Sequence, residues 1–518
     1  MTLAFLLACA HTPDAPAAPR TFAVLAFNDL YRVEGDVAEG GLARIRALRA
    51  DLAATYPDLL VVGAGDFLFP SLLSRTFEGA QMIDVLNGLD GSAGWDERMI
   101  LTFGNHEMDA KDASVLDARL EESGFTWVTS NVTFAPEVAS PNLARLAYRH
   151  AGGVKVGFFG LTVDSNPKPW VLEYADPVEA ARGATAELRA NGAEVVIAVT
   201  HLPVEQDEAL LRALGSEGPD LVLGGHEHVA HRREVDGRLV LKADAEGRSA
   251  TLARVTVSPD GRVEVADEKL VPHALPPDPA VAELAAGWVA RHEAEYCERK
   301  LLRPAGCLEE VLGRAAVELV ATEDELRGGE TAFGAWIADL ARAHFPEADV
   351  AFVHAGTLRL DRDLPAGAAI TRRTIEELFA YPAKTQLVRI DGATLQAVAA
   401  RSVRDGPGKG HWLLVSGFGF RHAGGVAGPV HLLRGTPRAV RPEEPLLAVT
   451  LSYLTDPSTG QDGYTMLSPA QVVREGSDLK DLAIAALGAA GAAGIAPVAE
   501  GRVCGPGDGR CAVPRPDP

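Results

Sequence analysis

The sequence is short of basic residues: 49 Lys and Arg stand against 71 Asp and Glu, a formal net charge of −22 over 518 residues. Phosphate backbones and anionic membrane surfaces are held by clustered Lys and Arg, so neither is expected as the main partner. No run of 18 apolar residues occurs, so no helix of the mature chain is expected to span a bilayer. No low-complexity tract is long enough to imply disorder, and no internal repeat is visible. Cysteine is scarce, with five residues and no CxxC spacing, which weighs against zinc held by thiolates, the competing reading of these residues. With Cys9 set apart, four remain in two close pairs, Cys297 with Cys307 and Cys504 with Cys511. An even remainder suggests two local disulfides in an oxidising compartment, although four cysteines permit three connectivities.

What is present is globular: 47% hydrophobic and 23% charged residues, in a chain long enough for two domains of roughly 200 to 250 residues. The first ten residues, "MTLAFLLACA", are similar to a bacterial lipoprotein signal whose Cys9 would be acylated after cleavage, although no basic residue precedes the apolar stretch. The Pro/Ala-rich "HTPDAPAAPR" that follows reads as a tether, so residues 1–20 are expected to be signal and tether. The expected location is outside the cytoplasm, either periplasmic or lipid-anchored to the outer membrane or cell surface. A lipid on Cys9 would be the one membrane contact.

From Thr21 to about Pro259, short runs rich in Val, Ile, Leu and Phe recur, among them "TFAVLAF", "DLLVVGAG", "RMILTFG", "AEVVIAVT" and "PDLVLGG". Helical patterns lie between several of them, the clearest placing Leu42, Ile45, Leu48 and Leu52 on one face with arginines opposite. Alternating strands and helices predict an α/β domain over 21–272. The proline-rich "VPHALPPDPA" breaks the pattern, and residues 273–305 read as a linker and connector helix. A second α/β unit is expected over 306–500, with a disulfide-pinned tail over 501–518.

Ligand-type side chains recur where these apolar runs end. "AFND" ends at Asp29, "VVGAGD" at Asp66, "LTFGNHE" at Asn105 and His106, "IAVTH" at His201, and "LVLGGHEH" at His226 and His228. In an open α/β sheet the crevice at the carboxyl ends of the strands binds ligands, so groups spread over 200 positions can converge there. A lone Gly-Asp is usually a turn and a lone His usually structural. Five such elements in order, with glycine where backbone must pass close to an ion, make a coordination set. Two carboxylates, an amide oxygen and three imidazoles suit Zn²⁺, Mn²⁺ or Fe rather than Ca²⁺.

Asp29, Gly65-Asp66, Gly104-Asn105-His106-Glu107 with Asp109, Thr200-His201 and Gly225-His226-Glu227-His228 together resemble the signature of the calcineurin-like metallophosphoesterases. Within that superfamily the "GNHE" run and the second half of the chain are similar to the 5′-nucleotidase family. The resemblance implies a four-layer α/β/β/α catalytic domain, a smaller α/β substrate-specificity domain, and a substrate held between them. It implies two divalent metal ions bridged by Asp66, one also taking Asp29 and His228 and the other Asn105, His201 and His226. Such a pair roughly 3.5 to 4 Å apart activates a hydroxide for in-line attack on a phosphoryl group. His106 and Asp109 would be catalytic, the imidazole donating to the transition state and the carboxylate fixing its tautomer. No role can be derived for Glu107 beyond an indirect one.

The same resemblance implies substrate contacts in the second half. Arg327 in "LRGGETAFG" matches an anion contact, with a solvated surface loop as the plainer alternative. "VHAGTLRL" matches an Asn-x-Gly-x-x-Arg turn, placing Gly356 and Arg359 beside the substrate with His354 where the family has Asn. Trp412 and Tyr464 match two rings that sandwich a base, against the alternative of ordinary core packing. Ala470 stands where the family has a carboxylate for the ribose hydroxyls, which weakens the case for strict nucleotide specificity. The expected substrate is a small phosphomonoester, a nucleoside 5′-monophosphate first. Nucleotide sugars, cyclic nucleotides and sugar phosphates are the alternatives, and a binding protein without catalysis is a more distant one. A last departure is Tyr31 in "FNDLYRV", where most of the family has a metal-ligating His. Asp29, Asp66 and His228 already provide three ligands and a catalytic site keeps an open position, so Tyr31 is expected to coordinate weakly or not at all.

Overall fold

The structure, a computed structural model, describes residues 18–35, 40–92, 94–165 and 168–514; Cys9 and the segment read as a signal lie outside them. The chain divides into two compact units, one ending at His292 and the other beginning at Glu293.

In the N-terminal unit a seven-stranded sheet runs in the order Val263–Leu270, Ala250–Val257, Arg20–Phe27, Leu60–Ala64, Met99–Thr102, Thr126–Val128, Leu143–Ala144. Arg20–Phe27 pairs parallel with Leu60–Ala64 and antiparallel with Ala250–Val257. A six-stranded sheet follows the order His231–Val235, Arg238–Lys242, Leu221–Gly224, Val195–His201, Val154–Thr162, Leu146–Ala151, parallel through its four central strands. The central strands are buried on both faces, which is why they read as continuous apolar runs and not as alternation.

Three apolar layers explain the stacking. Phe22, Val24 and Val62 from the first sheet meet Val156, Phe158 and Ile197 from the second. Leu25, Val61 and Leu101 face the other way, against Leu42, Ile45 and Leu48 of helix Leu42–Thr55 and Ile83 of helix Ala80–Asn87. Phe159, Val196 and Val222 pack on Ala184 and Leu211 of helices Pro177–Ala190 and Val204–Leu214. This is the four-layer α/β/β/α arrangement. Arg49, on the helix face expected to be solvated, is buried instead because its guanidinium forms a two-pronged pair with buried Asp96.

The C-terminal unit is built on a mixed five-stranded sheet, Leu413–Ser416, Val350–His354, Pro445–Leu451, Lys384–Asp391, Val472–Asp478. The unit boundary falls within the segment 273–305, inside helix Pro279–Glu295, whose Val281 and Ala285 join the N-terminal core. The last segment adds a short strand, Val503–Cys504, that pairs with Phe418–Ala423. Both expected disulfides form, Cys297 with Cys307 and Cys504 with Cys511. Among the described residues no helix is long and apolar enough to cross a membrane.

Candidate metal centre

Five strand ends of the two stacked sheets meet at one place. Asp29 follows the strand Arg20–Phe27 with φ near +50°, its N–H donating to the Gly65 carbonyl at 3.0 Å. Its Oδ2 accepts the Asn28 amide at 2.7 Å and the His226 N–H at 2.9 Å. Asp66 follows Leu60–Ala64, again with positive φ, and its Oδ1 accepts the His106 N–H at 2.8 Å. His201 ends its own strand, and its Nδ1 lies 2.7 Å from the Ala64 carbonyl. A carbonyl only accepts, so Nδ1 carries a proton, which leaves Nε2 as the ring atom that could face a cation. Two glycines make this approach possible. A Cβ on Gly104 would fall 2.0 Å from Asp66 Oδ1, and one on Gly225 would fall 2.8 Å from Asp29 Oδ2.

Donor atoms of Asp29, Asp66 and His201 all lie within 4.8 Å of one another, and the three residues are buried. His201 Nε2 is 3.1 Å from Asp66 Oδ2 and 3.8 Å from Asp29 Oδ1. Burial alone would strip this imidazole of its proton, yet the two carboxylates outweigh it and raise His201 to about 9. Burial likewise pushes Asp66 up, but the imidazoles of His201 and His106 hold it well below the usual carboxylate range. Burial and the neighbouring His201 push His226 well down. The pocket thus demands positive charge. A cation fits the donors: Asn105 Oδ1 is buried without a hydrogen-bond partner, and hard oxygens accompany imidazole nitrogen.

His228 Nε2 lies 3.5 Å from Asp29 Oδ1, and the His201 and His226 rings meet edge-on at 5.2 Å. Tyr31 is the surprise. Its hydroxyl donates to Asp66 Oδ2 at 3.0 Å and lies 2.8 Å from His228 Nε2 and 3.3 Å from Asp29 Oδ1. It therefore stands among the candidate ligand atoms. His106 lies at the mouth, its Nδ1 2.7 Å from Asp109 Oδ2 and its ring edge-on to Tyr31 at 5.9 Å. Glu107 has a role that the sequence did not show. Fully buried, it accepts the N–H groups of Asp66 (2.9 Å), Phe67 (2.6 Å), Leu68 (3.0 Å) and Gly104 (2.6 Å), clamping the loop that carries Asp66 to the loop that carries Asn105. Its burial and the charge of Asp66 push its own carboxyl up.

In the C-terminal unit the expected contacts come together only in part. Arg327 and Arg359 are joined through buried Glu323, which pairs with Arg327 and lies 3.3 Å from Arg359. Arg359 also donates to the Gly356 carbonyl at 2.9 Å and has its guanidinium 5.9 Å from the ring of half-exposed Tyr381. His354 is buried, stacked on Tyr453 at 4.8 Å, and burial pushes it down to about 4. The smallness of Gly356 is explained by the Gly410 carbonyl, 3.1 Å from where a Cβ would be. Trp412 and Tyr464 are core residues, 1% and 0% exposed, and the Tyr464 hydroxyl donates to the His411 carbonyl at 2.5 Å. Core packing, the plainer of the two readings, describes both rings in this structure; neither offers a face for stacking. Glu323, Tyr381 and Tyr453 escaped the sequence reading, although Glu323 four residues before Arg327 was a visible helical pair.

Comparison with known proteins places this geometry. Residues 22–230 match the calcineurin-like phosphoesterase family, and residues 311–428 match the 5′-nucleotidase C-terminal domain. Snake venom 5′-nucleotidase of Naja atra is 27% identical over 434 residues, 75% of this chain and 77% of that one. The 5′-nucleotidase of Homo sapiens is 22% identical over 513 residues, 90% of this chain and 85% of that one. The crystal structure of a 5′-nucleotidase precursor from Thermus thermophilus superposes with a TM-score of 0.78 at 22% identity, over 94% of this chain and all of that one. A sulfate thiohydrolase of Thermus thermophilus, in complex with glycerol, shares the fold at a TM-score of 0.72 and 16% identity, over 94% and 97% of the two chains.

Proposed function

Because the chain belongs to the calcineurin-like metallophosphoesterases of 5′-nucleotidase type, and so is a phosphoric-ester hydrolase, we propose that it is an exported enzyme that removes phosphate from a small monoester with two divalent cations in the centre at the strand ends. The observation that carries this reading is the convergence of Asp29, Asp66 and His201 beside the His106–Asp109 pair. Asp66 would be shared by both cations, with Asp29 and His228 completing one shell beside the Tyr31 hydroxyl and Asn105, His201 and His226 completing the other. Zn²⁺, Mn²⁺ and Fe all suit these donors. Bound cations would polarise the phosphoryl group and stabilise charge that develops in the displacement.

The chain's own groups do the rest. His201 keeps its proton on Nδ1 through the Ala64 carbonyl, so Nε2 stays a ligand. His106, oriented by Asp109, offers a hydrogen bond or proton to the phosphoryl or leaving-group oxygen as charge develops there. Within the C-terminal unit, Arg327 and Arg359 share the one carboxylate of Glu323 and are that unit's candidate contacts for an anionic group. Tyr381, with an exposed ring beside Arg359, is the better placed surface for a base than Trp412 or Tyr464. A nucleoside 5′-monophosphate is the leading substrate. The burial of Trp412 and Tyr464, with Ala470 in place of a ribose-binding carboxylate, favours a sugar phosphate as the second reading. The disulfides Cys297–Cys307 and Cys504–Cys511 support a location outside the reducing cytoplasm.

The test is phosphate release from p-nitrophenyl phosphate and from a panel of nucleotides, nucleotide sugars, cyclic nucleotides and sugar phosphates, with added Mn²⁺ or Zn²⁺. Activity that a chelator abolishes and metal restores is expected; full activity in metal-free protein would sink the proposal.

A further inference from the structure

Behind the second half of the centre lies a buried cation of the protein's own. Lys242 ends the strand Arg238–Lys242 and is 3% exposed. Its ammonium donates to the carbonyl of Leu202 at 2.6 Å, the carbonyl of Gly225 at 2.9 Å and Glu227 Oε2 at 2.8 Å. It also pairs with buried Asp207 at 2.9 Å. Leu202 follows His201 and Gly225 precedes His226, so two of these bonds grip the chain immediately beside two imidazoles. The third adds the residue between His226 and His228, and the other oxygen of Glu227 accepts the Val204 N–H at 2.5 Å. One side chain thus ties the strand end that carries His201 to the turn that carries His226 and His228.

A buried ammonium is costly unless paired, and beside a centre expected to hold cations it is repelled as well. Asp207 and Glu227 supply the compensating charge. Burial pushes Asp207 up to about 6, a sign of how little water reaches it. An alanine or leucine core would close this space with less demand on partners, so a requirement for the two carbonyl contacts is the simplest reason for a lysine here. The turn needs such a tie, because His226 and His228 both have positive φ, a backbone state that non-glycine residues hold only when their surroundings enforce it.

We infer that Lys242 is a positioning residue for one of the two cations: by holding the Leu202 and Gly225 carbonyls on one ammonium, it sets the separation of His201 from His226 and thereby retains the cation these imidazoles share with Asn105. The inference rests on the two-cation reading above. It is distinct from a general role in stability, because Asp207 contributes to the same buried cluster without touching either carbonyl.

The experiment is metal content and Mn²⁺ affinity of the full-length protein, measured well below the melting temperature, for the wild type, Lys242→Met and Asp207→Asn, with melting temperatures alongside. The wild type should hold two equivalents and show the spin-coupled resonance of a Mn²⁺ pair. Lys242→Met should keep one equivalent, bind the second at least about tenfold more weakly, and lose the coupled signal. Asp207→Asn should keep both equivalents even where its melting temperature falls. If Lys242→Met does not fold because two carboxylates are stranded, Lys242→Met/Asp207→Asn removes one of them and should behave as the single Met variant was expected to. Two tight equivalents in either Met variant overturn the inference, as does loss of the second equivalent in Asp207→Asn. A wild type that binds a single equivalent overturns the two-cation reading itself, and the inference with it.

Discussion

Neighbours in sequence need not share a role, and Asn105 and His106 show this. The Asn105 side-chain oxygen is buried without a hydrogen-bond partner, whereas the His106 ring is anchored by Asp109 and only its main chain touches Asp66. Asn105→Ala is expected to lose metal and rate together. His106→Ala should keep its metal and lose about 100-fold or more in kcat, with KM little changed; metal analysis beside steady-state kinetics decides, and equal metal loss in both variants would refute the division. Tyr31→Phe should keep more than about a tenth of kcat, because Asp29, Asp66 and His228 remain as the proposed ligands. Iron-loaded protein with a visible absorption band that vanishes in Tyr31→Phe would show instead that the phenol oxygen is bound. His354 gives a pH signature. Its folded value of about 4 lies below the ordinary 6.5, so the folded state binds fewer protons than the unfolded chain between those values. Its contribution is present above pH 6.5 and is lost as the pH falls towards 4, by about 3 kcal/mol at most. Melting temperatures of His354→Asn across this window should fall less steeply than those of the wild type; parallel curves would remove His354 as the cause.

At the scale of elements, the loops after Leu60–Ala64 and Met99–Thr102 act as one piece, because Glu107 collects N–H groups from both and Gly104 lets Asp66 lie against the second loop. Gly104→Ala would put a methyl 2.0 Å from Asp66 Oδ1, so metal affinity should fall by about 10-fold to 100-fold while the circular dichroism spectrum stays native. Unchanged metal affinity would mean the loops give way more easily than their hydrogen bonds imply. These loops also show what a sequence can disclose. Asp29, Asp66 and His201, whose donor atoms converge, were legible because a coordination site needs ligand-type side chains beside glycine, and each strand end carries both within a few residues. The alternation of apolar runs with helical patterns disclosed the α/β layers for a similar reason. Glu107 and Lys242 were not legible, since their partners are main-chain groups about 40 positions away. The order of strands within each sheet fixes those pairings, and no local pattern encodes it. The burial of Trp412 and Tyr464 was hidden likewise, because an aromatic residue in a matching motif carries no sign of whether its ring faces the core or the solvent.

For the whole molecule, the net charge of −22 sets a weak repulsion for an anionic substrate and an attraction for divalent cations. The Debye length shrinks from about 30 Å at 0.01 M salt to about 8 Å at 0.15 M, so KM for a phosphomonoester should fall roughly twofold over that range. A KM that rises would mean that positive charge close to the bound phosphate outweighs the distant charge. The placement of the ligands has a consequence for the order of events during folding. Asp29 lies near the start of the chain, yet His228 comes 199 positions later, and the strand Ala250–Val257 that pairs with Arg20–Phe27 comes later still. A growing chain therefore carries both carboxylates long before it has the imidazole of His201, and the first strand waits for the second of its two neighbours. Such pairings between distant segments form slowly. Tight metal capture then reports a finished domain, and fragments ending before His201 should hold divalent ions no better than loose carboxylates do.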